Sequence, residues 1–151
     1  MNIGIGGDHA GFQFKEELKK ELKEKGHQVQ DFGPSSEESC DYPDIAHPLA
    51  VSVENKENDL GIAICGSGNG INMTLNKHQN IRSALCWNEE LAELSRLHND
   101  ANVLSLPARF ISIELASKCV EAFIKTKFEG GRHQRRVNKI KISKAFSKET
   151  N

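Results

Sequence analysis

A thiol and a hydroxyl sit in a loop with glycine at every other position, Cys65-Gly66-Ser67-Gly68-Asn69-Gly70. The run before it, Leu60-Gly61-Ile62-Ala63-Ile64, is short, apolar and β-branched, which predicts a buried strand. After it, Ile71 and Leu75 lie one turn apart and predict a helix. A strand, a glycine loop and a helix N-terminus make an anion site, because unpaired N–H groups point outward and the dipole favours negative charge. A thiol there is expected to have its pKa drawn down from ~8.5, making Cys65 available as base or nucleophile. The competing reading of Cys65 is a small core residue.

The loop spacing misses the dinucleotide fingerprint and follows the third strand rather than the first. No Walker loop follows. An oxyanion cradle of backbone N–H groups and the Ser67 hydroxyl fits better, with a purely structural tight turn as the alternative. His98 ends a predicted helix beside a polar turn, as a general acid/base or as a charge partner for the helix dipole. Arg132 and Arg136 share a helical face at i and i+4, as a phosphate clamp or a solvated basic face. Asp8-His9 alone is a weak signal. Taken together, these groups suggest a small phosphorylated substrate and proton transfer next to a carbonyl.

The elements that must position these residues alternate regularly. Asn2 to Gly6 reads as a strand and Gly7 to Gly11 as a loop. Phe14, Leu18 and Leu22 mark an amphipathic helix with Glu16–Lys20 and Glu21–Lys25 pairs toward solvent, ended by Gly26. His27 to Phe32 gives a second strand. After the loop Gly33 to Tyr42, Pro43 starts a helix buried through Ile45, Ala46, Leu49, Ala50 and Val53. Ile81 to Cys86 is a fourth strand, and Asn88 caps the helix that carries His98. Asn99 to Asn102 breaks that helix, and Val103 to Leu106 is a fifth strand. Ala116, Cys119, Val120, Phe123 and Ile124 mark another helix. Glu129-Gly130-Gly131 is a hinge before a last helix from Arg132 to about Lys144.

Alternating β and α units predict an α/β fold, a doubly wound parallel sheet with helices on both faces. Ligands of such sheets sit beyond the C-terminal strand ends, which gathers Asp8, His9, Cys65, Ser67 and Arg109 on one edge. The 151 residues suit a single domain, 1–151, with 130–151 as a C-terminal arm. No apolar run reaches the roughly 20 residues of a membrane helix, and the start shows no signal-peptide pattern. A cytoplasmic protein is expected, with Cys40, Cys65, Cys86 and Cys119 as thiols. No His/Cys cluster has zinc-ligand spacing. Residues 132–151 hold seven Lys/Arg against one acid, a net +6, while the remainder is −7. That basic tail could meet nucleic acid, the protein's own body or a second copy. Without interleaved aromatics, and on an acidic bulk, nucleic acid is the weakest of these.

Five segments then resemble one family: Gly7-Asp8-His9-Ala10-Gly11-Phe12, Asp41-Tyr42-Pro43-Asp44, Ile64 to Ile71, Ser95 to Leu104, and Glu129 to Val137. In order and spacing they are similar to the ribose-5-phosphate isomerase B family, which also includes allose- and galactose-6-phosphate isomerases. The resemblance spans Asn2 to about Ile142. It implies a Rossmann-like αβα sandwich with a five-stranded parallel sheet and a C-terminal helix packed on a partner subunit. It also implies a metal-independent aldose–ketose isomerase without cofactor, a homodimer or dimer of dimers with each active site shared between chains. By position, Cys65 would be the base, and Ser67 with the N–H groups of Gly66, Gly68, Asn69 and Gly70 would hold the enediolate oxygen. His98 would assist ring opening. Asp8, Tyr42 and Asn99 would contact sugar hydroxyls; His9, Arg109, Arg132 and Arg136 would hold phosphate, with His133 a further contact. One branch of the family places a glutamate base just after the glycine loop, where this chain has Ile71. Two other readings stay open here: a six-carbon sugar phosphate isomerase, and a non-catalytic nucleotide or flavin module on the same fold.

Overall fold

The computed structural model describes residues 1–147; Lys148 and Glu149 of the basic tail lie outside the described residues. Five parallel strands, β1 (Asn2–Gly7), β2 (Gln28–Asp31), β3 (Leu60–Cys65), β4 (Ser83–Leu85) and β5 (Val103–Pro107), form one sheet in the order β2-β1-β3-β5-β4. The chain winds outward from β1 to β2, then crosses back to β3 on the other side of β1. The switch between β1 and β3 opens a crevice at their C-terminal ends, where doubly wound sheets bind ligands. β1 registers with β3 from Ile3 opposite Leu60 to Gly7 opposite Ile64, and β3 with β5 from Gly61 opposite Val103 to Cys65 opposite Pro107.

Helices α1 (Phe12–Glu24), α4 (Glu89–Asn99) and α5 (Ile113–Lys125) cover one face; α2 (Tyr42–Glu54) and α3 (Asn69–Leu75) cover the other. All six residues of β3 are buried, and its side chains alternate between the two cores. Ile62 and Ile64 join the first, with Leu18, Leu104, Leu106 and Phe123; Ala63 and Cys65 join the second, with Leu49, Ile71 and Leu75. Cys65 therefore faces the α2–α3 side, where α3 begins.

Local signals explain the boundaries. The Asn88 side chain accepts a hydrogen bond from the Leu91 N–H at 2.8 Å, as expected of an N-cap. Proline stands in the first turn of α2. The fourth strand is shorter than Ile81–Cys86, because Ile81 N–H returns to the His78 carbonyl and Arg82 N–H goes to the Asn102 side chain. The last helix, α6 (Arg132–Asn138), stops about one and a half turns before Lys144. Beyond it Ile140 and Ile142 are more than half exposed, so no packing supports further turns. α6 lies on α4 of its own chain, through the stacking of His133 on His98. The α1 ion pairs also differ from the expected ones. Glu16 pairs with Lys15 and Lys19, and the wholly buried Lys15 ammonium crosses to Asp31 of β2 at 2.8 Å.

Candidate functional site at two edges of the sheet

At the end of β1 the Asp8 N–H donates to the Ile64 carbonyl, tying this loop to β3. Asp8 Oδ1 accepts from the N–H groups of Ala10 and Gly11 at 2.9 and 3.1 Å. One carboxylate oxygen is thus spent on the loop, while Oδ2 makes no hydrogen bond among the described residues. His9 Nδ1 accepts from the Cys40 N–H at 3.3 Å, which leaves Nε2 of the neutral ring as a donor. At the end of β3, Gly68 takes φ +75° as the N-cap of α3, a left-handed conformation that glycine adopts freely. The Tyr42 ring lies flush against Gly70, and the Arg109 guanidinium lies over Gly66, its Nη1 3.1 Å from where a β-carbon would be. Ala108 and Arg109 N–H groups donate to the carbonyls of Cys65 and Gly66, fixing that approach. Ser67 and Asn69 are exposed on the rim, beside a groove of about 330 Å³ that Leu85, Trp87, Pro107 and Phe110 also line. The expected gathering of Asp8, His9, Cys65, Ser67 and Arg109 on one edge is observed, and Tyr42 joins them.

Cys65 is 4% exposed. Its thiol pKa is raised above 9.0, opposite to the expected lowering. Burial is the main cause and the Asp8 charge adds to it; the N–H groups of Ile71, Gly68 and Ser67 favour thiolate but are outweighed. The loop does aim donors at the sulfur, as the sequence suggested. Desolvation is the stronger effect, and it cannot be read from spacing.

The remaining residues stand at the other edge. α4 runs back across the sheet, so its end, His98-Asn99, reaches the N-terminal ends of the strands. Asn102 there accepts from the Gly61 N–H at the start of β3. Gly61 and Cys65 are four residues apart on one strand, about 13 Å at ~3.3 Å per residue. His98, Asn99, Arg132 and Arg136 therefore belong to a second cluster, which the structure does not bring to Cys65 within one chain. The His98 and His133 rings stack at 4.2 Å, 14° from parallel. Burial, first, and the neighbouring His98, Arg132 and Arg136 push the His133 pKa down, so its ring is neutral near pH 7. Its buried Nε2 has no hydrogen-bond partner among the described residues.

Sequence reasoning missed Glu129, read as part of a hinge. Its carboxylate is 3.8 Å from both His98 Nε2 and His133 Nε2 and 3.9 Å from Arg132. The i, i+3 and i, i+4 spacing of Glu129, Arg132 and His133 was the available signal. These three acid and imidazole groups, all within 4.8 Å of one another, have the residue types of a metal site. The near-parallel rings, however, send their in-plane lone pairs side by side rather than to a common point, which fits an ion-paired cluster better.

A family model described as Ribose/Galactose Isomerase matches residues 3–140. The chain belongs to this family. It is 45% identical over 138 residues to ribose-5-phosphate isomerase B of Escherichia coli, covering 91% of this chain and 93% of that one. The fold superposes on the ribose-5-phosphate isomerase B of Clostridium thermocellum with a TM-score of 0.92 at 47% identity, covering 93% and 95% of the two chains. It superposes on the Mycoplasma genitalium enzyme, solved with bound ribulose 5-phosphate, with a TM-score of 0.88 at 45% identity and 92% and 93% coverage. Such similarity over almost the whole chain sets the nucleotide-module reading aside. Among the described residues, no helix is long and apolar enough to cross a membrane.

Proposed function

We propose that this protein interconverts ribose 5-phosphate and ribulose 5-phosphate through an enediolate, in the cytoplasm, at a site completed by a second copy of the chain. The buried Cys65 thiol beneath the N–H groups of Ser67, Gly68 and Ile71 carries the reading. A raised thiol pKa makes the thiolate a stronger base, suited to a carbon-bound proton, at the expense of a lower thiolate fraction. Cys65 takes the proton from C2 of the open aldose and returns it to C1, while the O2 hydroxyl gives up its proton and O1 gains one, so there is no net change in protons. As the carbonyl oxygen becomes negative, the loop N–H groups and the Ser67 hydroxyl stabilise it without reorganising.

Tyr42 and the free oxygen of Asp8 hold sugar hydroxyls on the Cys65 side, and Asn99 adds a contact from the far edge. His9 Nε2 and Arg109 meet the phosphate from one chain; Arg132 and Arg136 meet it from the other, with His133 beside them. Phosphate binding then supplies orientation at C1–C2. His98, from the partner's edge, serves ring opening. A homodimer or dimer of dimers accounts for why one sheet carries complementary half-sites at opposite ends.

A coupled assay on ribose 5-phosphate tests the activity. Cys65→Ala is expected to abolish turnover while preserving fold and substrate binding; near-normal turnover refutes the assignment. The family's description includes galactose as well as ribose, so relative kcat/KM on ribose 5-phosphate and on allose and galactose 6-phosphates decides between five and six carbons.

A further inference from the structure

We infer that Glu129 is a positioning residue for ring opening: its carboxylate holds the His98 imidazole, in register with His133, at the angle that reaches the furanose oxygen. The inference rests on the proposed isomerase reading. It starts from how little else holds His98. Among the described residues the ring makes no hydrogen bond, and it is the last but one residue of α4, where a helix frays. Two groups restrain it: Glu129 Oε2 at 3.8 Å from Nε2, and the His133 ring stacked at 4.2 Å.

Glu129 is itself well placed to act as an anchor. Its N–H donates to the Leu97 carbonyl at 3.1 Å, which docks the residue on the end of α4. Gly130 and Gly131, at φ +70° and +54°, then turn the chain into α6. That turn puts Arg132 and His133 over the same carboxylate. The charged and titratable groups at this point are Glu129 and the C-terminal end of the α4 dipole on the negative side, Arg132 and Arg136 on the positive side, and the two imidazoles. Glu129 is the side-chain anion that faces both imidazoles.

Ring opening needs such control. The C1–O4 bond breaks, O4 gains a proton, and O1 loses one as C1=O forms. An imidazole that gives a proton to O4 must regain one from O1, so there is no net change. At His133 the Glu129 carboxylate works against burial and the neighbouring arginines, which together hold that ring neutral. The carboxylate lies 3.8 Å from both Nε2 atoms, so losing it removes an electrostatic restraint and frees the His98 ring to turn away. Glu129 acts through His98 and touches no reacting atom.

The test compares Glu129→Gln and Glu129→Asp with the wild-type protein on two substrates. One is ribose 5-phosphate. The other is its 4-deoxy analogue, which lacks the hydroxyl that closes the furanose and so stays open. Glu129→Gln is expected to lower kcat on ribose 5-phosphate about tenfold with KM within about twofold, less than the roughly 10²–10⁴-fold of a general acid–base residue itself, because Glu129 acts through His98. Turnover of the open analogue is expected to hold within about twofold, and Glu129→Asp to recover part of the loss. Combined with His98→Asn, Glu129→Gln is expected to add no further loss. Equal losses on both substrates, an unchanged kcat, or a full further loss on the His98→Asn background overturns the role of Glu129. A wild-type protein inert on both substrates overturns the isomerase reading itself, and this inference with it.

Discussion

Two alanines in one loop separate fold from chemistry. At Gly70 a β-carbon would fall 2.7 Å from Tyr42 Cε1 and from the Tyr42 hydroxyl, far inside ordinary contact. The neighbour is the far end of one side chain, at the first residue of α2 and 37% exposed, so the ring can swing into solvent. Gly70 is also inside α3, where alanine gains about 1 kcal/mol of helix propensity over glycine. The two effects largely cancel in stability, but the Tyr42 hydroxyl leaves its place over the loop. One hydrogen bond to substrate is worth about 1 kcal/mol, or roughly fivefold in kcat/KM. At Gly68 the same methyl meets the Leu85 side chain, the Leu106 carbonyl carbon and the Pro107 nitrogen, the last two at 3.3 Å and both in the sheet backbone. Its φ of +75° adds about 1–2 kcal/mol for any L side chain, and overpacking another 1–3.

Gly68→Ala is thus expected to lose about 2–5 kcal/mol, read as a fall in Tm of about 10 °C for a chain of this size. Gly70→Ala is expected to keep Tm within about 2 °C while kcat/KM on ribose 5-phosphate falls several-fold. Tyr42→Phe should show the same kinetic loss, and the double variant Gly70→Ala/Tyr42→Phe no more than either alone, since both remove one hydroxyl. Equal thermal losses at the two glycines would refute the argument that a left-handed φ packed against sheet backbone, present at Gly68 and absent at Gly70, decides the outcome. Additive kinetic losses in the double variant would refute the part that runs through Tyr42.

Alkylation of Cys65 by iodoacetamide should accelerate with pH through and beyond 9, because burial holds the thiol neutral; a midpoint at or below pH 8 would contradict the raised pKa. Lys15→Met should cost about 1–3 kcal/mol, because Asp31 loses its buried donor but keeps Lys19 and the Gly33 N–H, measured by urea unfolding. Burial tends to raise the Asp31 pKa, but hydrogen bonds from Lys15 and Lys19 hold it below 3.8. Its stabilising share is therefore present above that pH and lost as pH falls through the lower folded value; Lys15→Met should move acid unfolding to higher pH. Mixing inactive Cys65→Ala with the slowed His98→Asn after joint refolding should raise activity to about a quarter of wild type if sites form between copies in a two-fold dimer, because half the dimers then carry one intact site. No recovery in mixed dimers confirmed by mass would place the whole site in one chain.

The alternation of elements was legible because parallel strands buried on both faces read as apolar runs and their crossover helices as amphipathic ones. Leu60–Cys65, Phe12–Glu24 and the Asn88 cap all followed that logic. Lys15 was not legible. It stands between the apolar Phe14 and Leu18, and only the arrival of Asp31 from β2 makes its burial tolerable. The Cys65 thiol was half legible: spacing showed the N–H donors but not the desolvation that outweighs them. The extent of the last helix was misjudged because periodicity through Ile140 does not reveal whether anything lies beneath it. The site residues after strand ends could be placed by the sheet rule. His98 could not, because that rule says nothing about where a returning helix delivers its last turn.

That last point governs the chemistry. On the proposed reading, proton abstraction needs a buried base beside fixed N–H donors, and the end of β3 holds a buried thiol with the Ser67, Gly68 and Ile71 N–H groups directed at it. Ring opening and phosphate capture need cations and imidazoles, which would suppress the carbon-acid chemistry only if they neutralised the base before substrate arrives. In one chain they cannot, because about 13 Å of sheet separates the clusters. On the proposed reading, a partner copy brings its Glu129–Arg136 edge over the Cys65 crevice of the first, and the two-fold relation returns the favour, so neither half-site is left unmatched. The charge distribution suits that docking: residues 132–151 carry a net +6 and the remainder −7, so the arm, for which nucleic acid is the weakest reading, is better matched to a second copy of its own acidic domain.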